Sequence, residues 1–159
     1  MKKSFFLLTI ILLTLSARAQ QIPAYSADEI IRHTSSKDTL YIINFWATWC
    51  APCVQELPEF NKLQQKYAGR PVKVLLVSLD FKEDYPYKLS TFVQRKKLLP
   101  DVAWLSDTDP SVFIPKIDNS WQGSIPATVI VQPGKGFKKF IEGQVSEREL
   151  SRIADKLID

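Results

Sequence analysis

Asn44-Phe45-Trp46-Ala47-Thr48-Trp49-Cys50-Ala51-Pro52-Cys53 carries the chain from an apolar run into its only two cysteines. Upstream, Leu40 to Trp46 is almost continuously apolar and rich in β-branched and aromatic residues, as a buried central strand requires. Downstream, Val54, Leu57, Phe60, Leu63 and Tyr67 recur at helical spacing. This predicts a helix over Pro52 to Tyr67, stopped near Gly69 and kinked at Pro58. Val72 to Leu79 is a second buried strand. A strand-helix-strand unit therefore surrounds the cysteines, and a right-handed crossover with parallel pairing is expected.

A bridge between Cys50 and Cys53 would close almost no loop, so its entropic contribution to stability is small and its purpose is chemical. The spacing puts both sulfurs on the first turn of the helix. Pro52 is tolerated there because the N–H it lacks would be unpaired anyway. Unpaired N–H groups and the positive end of the helix dipole favour a thiolate. Cys50 is read as the attacking nucleophile and Cys53 as the resolving thiol. Lowering a thiol pKa from about 8.5 to about 7 raises the thiolate fraction roughly 15-fold at pH 7, but reduced nucleophilicity returns about five-fold of that. Most of the rate must come from the tethering of Cys53. Two cysteines and one remote His33 fall short of a structural zinc set, so no metal is expected.

Working outward, Ser26-Ala27-Asp28-Glu29 has capping-box spacing ahead of Ile30-Ile31, which predicts a short helix. Tyr87 to Leu98 reads as helical, Val102 to Leu105 as extended and Ser111 to Ile117 as a helical turn. Ala127 to Val131 and Phe137 to Glu142 form an antiparallel pair joined through Gln132-Pro133-Gly134-Lys135-Gly136. A second capping box, Ser146-Glu147-Arg148-Glu149, opens a helix with Leu150, Ile153, Ala154, Leu157 and Ile158 on one face. The expected fold is α/β, a central mixed sheet flanked by helices on both faces, without repeats or linkers.

At the N-terminus, Met1-Lys2-Lys3, the 11-residue apolar run Phe5 to Leu15, and Ala17-Arg18-Ala19 have the order of a secretory signal. A membrane-spanning helix needs about 20 residues. The expectation is a signal peptide over 1–19 and one domain over 20–159, exported and periplasmic; an uncleaved anchor is the alternative. Removing Lys2, Lys3 and Arg18 from the 21 basic residues leaves 18 against 17 acidic ones, so the charge falls from +4 to +1. That balance gives no electrostatic footprint for nucleic acid. Arg95-Lys96-Lys97 and Lys138-Lys139 read as solvated faces.

The ten residues from Asn44 to Cys53 resemble the active-site segment of the thioredoxin superfamily, and most of all its exported TlpA/ResA-like thiol-disulfide oxidoreductases. The resemblance extends to Glu56, Pro58, Ser124-Ile125-Pro126-Ala127-Thr128 and the last helix. It implies a thioredoxin fold with a cis proline at Pro126 facing the sulfurs, and the backbone of Ile125 free to pair with an extended substrate. It also implies that Trp49 and Pro52 touch substrate, that Trp46 shares in or underlies that surface, and that Glu56 manages cysteine protonation. Three features depart from the pattern. Asn44 stands where thioredoxin has a buried aspartate, and no β-hairpin is evident before Leu40. Phe81 to Pro110 resembles a central insertion between the second strand and the strand that follows Pro126.

These features predict dithiol/disulfide exchange with exported proteins, with no cofactor beyond the Cys50–Cys53 disulfide and a membrane-embedded electron donor. Ala51-Pro52 supplies no cation to the thiolate, which points to a reductant. The resemblance implies cytochrome c maturation as one setting. The alternatives are a thioredoxin-fold binding or chaperone module, and a thiol peroxidase, for which no peroxide pocket is recognisable.

Overall fold

The computed structural model describes residues 22–158. The expected signal segment, residues 1–19, lies outside them. Six strands form one sheet in the order β1-β4-β3-β2-β5-β6. They are β1 (Ala24–Tyr25), β2 (Leu40–Trp46), β3 (Val72–Ser78), β4 (Asp101–Leu105), β5 (Ala127–Gln132) and β6 (Phe137–Glu142). The helices are α1 (Ala27–His33), α2 (Ala51–Lys66), α3 (Tyr87–Lys96), α4 (Pro110–Ile117) and α5 (Glu147–Ile158).

β2 is parallel to β3 and antiparallel to β5, and every one of its seven residues is buried. Its side chains alternate between two cores, as the two-residue period of a strand dictates. Leu40, Ile42 and Trp46 pack with α2, α3 and α5 on one face. Tyr41, Ile43 and Phe45 pack with α1 and α4 on the other. α2 runs through Pro58 as one helix and buries Leu57, Phe60 and Leu63 completely or nearly so, each worth about 2 kcal/mol of transfer free energy. Gly69, in the turn after α2, takes the left-handed φ of 76° that a glycine accommodates without strain.

The N-terminal capping box forms as the sequence predicts. Ser26 Oγ accepts from Glu29 N–H at 3.3 Å, and the Glu29 carboxylate accepts from Ser26 N–H at 2.8 Å. The sequence reading missed β1, a two-residue strand pairing in parallel with β4 (Ala24 opposite Trp104). Residues 81–110 supply a single 3-10 turn, α3 and β4, and β4 stands between β1 and β3. Among the described residues no helix is long and apolar enough to cross a membrane.

Candidate active site

Both cysteines sit where β2 hands over to α2. Cys50 is the N-cap residue of α2, with extended backbone (φ −88°, ψ 100°), and Pro52 lies in the first turn. The two sulfurs are joined as a disulfide, with their Cα atoms 5.3 Å apart. Cys50 Sγ accepts from Cys53 N–H at 3.3 Å, so one unpaired amide of the helix end is aimed at that sulfur. Cys50 keeps 6% of its surface and Cys53 none. Ile125 O lies 3.7 Å from Cys50 Sγ, and the Ile125–Pro126 peptide is cis. Gln144 Nε2 donates to Pro52 O at 2.9 Å, tying the loop after β6 to the same turn.

Glu56 lies one turn beyond Cys53 and is 3% exposed, not a solvated helix carboxylate. It accepts from Asn44 Nδ2 and from Val145 N–H, each at 2.8 Å. Burial pushes its pKa up to about 7, against the lowering effect of those two bonds. Asn44 Nδ2 also reaches Thr128 Oγ1 at 3.1 Å, while Asn44 Oδ1 has no partner among the described residues. The Asn44 amide on β2 thus holds the Glu56 carboxylate on α2.

Trp49 is 55% exposed and stacks on Phe81, with ring centroids 5.9 Å apart. Trp46 belongs to the core instead: it is fully buried and packs against Phe92 at 5.6 Å. His33 ends α1 exposed, packed on Tyr25 and outside the site. No three His, Cys, Asp or Glu side chains converge as metal ligands among the described residues.

The sequence reading missed Asp80. Its buried carboxylate accepts from Thr48 N–H at 3.0 Å, from Thr48 Oγ at 2.5 Å and from Ser78 Oγ at 2.6 Å. It fastens the end of β3 to the turn that presents Trp49 and Cys50. A polar residue at the carboxyl end of a strand parallel to β2 was the available signal, because such ends line the crevice of an α/β sheet.

The chain matches the AhpC/TSA family over residues 16–136. It belongs to that family. It is 45% identical over 124 residues to the thiol-disulfide oxidoreductase ResA of Oceanobacillus iheyensis, covering 74% of this chain and 55% of the relative. It is 41% identical over 66 residues to the thioredoxin-like protein YneN of Bacillus subtilis, covering 39% of this chain and 37% of the relative. The chain spans about half the length of the curated relatives it matches. Among solved structures, it resembles a thioredoxin-related protein from Neisseria meningitidis serogroup B at a TM-score of 0.66 and 25% identity. That match covers 77% of this chain and 87% of that one. The mixed sheet with helices on both faces is the thioredoxin fold.

Proposed function

We propose that the protein is an exported thiol-disulfide oxidoreductase that reduces disulfides in other exported proteins. One observation carries this reading: the Cys50–Cys53 pair caps a helix, with Cys50 the less buried of the two residues and the Ile125 carbonyl beside its sulfur. Its similarity to relatives named thiol-disulfide oxidoreductase supports the same activity.

In the reduced protein, the Cys50 thiolate attacks one sulfur of a substrate disulfide, forming a mixed disulfide and expelling a substrate thiolate. Cys53 gives its proton to the Glu56 carboxylate, directly or through water, and attacks Cys50 Sγ. The Cys50–Cys53 disulfide forms and the second substrate thiolate leaves and takes up a proton. Two electrons pass to the substrate, and a membrane-embedded dithiol donor restores the pair. Trp49, Pro52, Ile125 and Pro126 hold the substrate chain across the sulfurs. No metal or further cofactor enters this cycle. Residues 1–19 act as the export signal, delivering a domain over 20–159 to the periplasm. Haem-attachment cysteines of cytochrome c precursors are the proposed substrates, so a C-x-x-C-H peptide disulfide should be reduced better than unrelated ones.

The test is a Cys53→Ser variant, which should accumulate partner proteins linked through Cys50 and release them with reductant. Cys50→Ser should abolish turnover. Full activity without that sulfur would favour a binding module, and a trap that captures no linked protein would overturn the exchange reading.

A further inference from the structure

We propose that the Trp49–Phe81 ring pair and the cleft behind it select substrate polypeptides that carry an aromatic side chain next to the attacked cysteine, with a lysine or arginine beside it. This rests on the exchange activity proposed above and names the polypeptides that the site prefers.

The two rings are stacked, 20° from coplanar, yet Trp49 is 55% and Phe81 63% exposed. Single exposed apolar residues are ordinary, but two adjoining ring faces held in water next to a nucleophile's own neighbour form a recognition patch. The patch is preorganised. Phe81 follows Asp80, whose carboxylate is held by Thr48 and Ser78 and whose carbonyl accepts from Trp104 Nε1 at 2.8 Å. The backbone bearing Phe81 is therefore fixed to the turn bearing Trp49, so little ordering cost remains when a ligand arrives.

Behind the rings runs a cleft of about 450 Å³, floored by Leu79, Leu105 and Phe113. That is the size of a site for a bound group. Its flat aromatic wall suits a ring, for which stacking adds roughly two- to twelve-fold beyond area burial. The carboxylates Glu83 and Asp107 outnumber Lys82 along the lining; Asp107 also accepts from Ala27 N–H at 2.9 Å, and Asp80 is turned inward onto its donors. A cation beside the ring meets the excess negative charge, an effect that salt should screen.

The reduced full chain is assayed with three disulfide-bonded peptides that differ only beside the cysteine: Phe-Lys, Phe-Glu and Ser-Lys. Expected is a kcat/KM about five-fold higher for Phe-Lys than for Ser-Lys, with Phe-Glu between them at low salt. Phe81→Ala should reduce the Phe-Lys to Ser-Lys ratio below about two-fold, and Phe81→Trp should retain it. The ratio within one variant cancels any general change in Cys50 reactivity or folded fraction. Equal reduction of all peptides by the unmodified chain, or an undiminished ratio in Phe81→Ala, overturns the proposal and leaves exchange standing. Reduction of none of them, together with an empty Cys53→Ser trap, removes the exchange reading and this inference with it.

Discussion

Asn44 donates from Nδ2 to Glu56 Oε1 at 2.8 Å, joining β2 to α2 one helical turn beyond Cys53. With Val145 N–H on the other oxygen, the carboxyl group is held in place yet sits near the protonation midpoint at neutral pH, about 7. A base with that pKa accepts and returns a proton readily under working conditions.

Glu56→Gln should therefore slow resolution of the Cys50 mixed disulfide about 100-fold at pH 7. The rise in wild-type resolution rate through pH 7 should vanish with it. The amide can be accommodated, because rotating Asn44 turns its unpartnered Oδ1 towards the new N–H. Stopped-flow measurement of resolution from pH 5 to 9 is the check; an unchanged inflection would remove Glu56 from proton transfer.

The same carboxyl group sets a stability trend. Its folded pKa of about 7 exceeds the ordinary value of 4.5, so the folded state holds the proton more tightly across that window. Stability is thus lost as pH rises from about 4.5 to 7, by up to about 3 kcal/mol, and levels off above. Asp118 acts in the opposite sense. It is held down to about 2, chiefly by the Ser120 hydroxyl and then by Lys138, so its effect falls below pH 4. Urea midpoints at pH 5 and 8 should differ for the wild type and converge in Glu56→Gln.

Asp80→Ala would leave the Thr48 N–H and the Thr48 and Ser78 hydroxyls without their acceptor. A loss of about 2–4 kcal/mol is expected, with Asp80→Asn costing less than half of that. Mixed-disulfide formation by Cys50 should slow about ten-fold in the alanine variant, because the turn that aims Cys50 is loosened. Melting and single-turnover rates, measured on the folded fraction, separate the two effects.

Gly134 approaches the loop before β2 so closely that an added Cβ would lie 2.2 Å from Lys37 O. The obstacle is backbone, so Gly134→Ala should cost about 2 kcal/mol. The melting temperature should fall by roughly 5–10 °C. A variant that melts like the wild type would show that this loop yields freely.

Elements whose signals are local were legible in the sequence. The capping pair Ser26 and Glu29 announced α1, and the run Leu40 to Trp46 announced β2 to the residue. Of the site, the cysteines stood out through their motif, and Pro126 and Glu56 only through the family resemblance. Features that depend on distant partners were hidden. Ala24 and Tyr25 form a strand only because Trp104 and Leu105 arrive beside them. Asp80 reads as an ordinary loop acid until the chain brings it to Thr48, 32 residues away. Glu56 looks like a solvated helix residue until Asn44 and Val145 enclose it. Phe81 carries no periodicity that would distinguish a displayed ring from a buried one.

Phe45 stands opposite Ala127 in the β2–β5 ladder. The sulfur emerges five residues after the first, and the cis proline immediately precedes the second. Hydrogen-bond registry acts as a ruler between the halves of the machinery, and its smallest graduation is one residue. Slipping by that single notch would also turn each β2 side chain into the opposite core. Gradual drift of sulfur against proline is therefore forbidden, and evolution can retune this protein only by exchanging side chains or remodelling the remote rim.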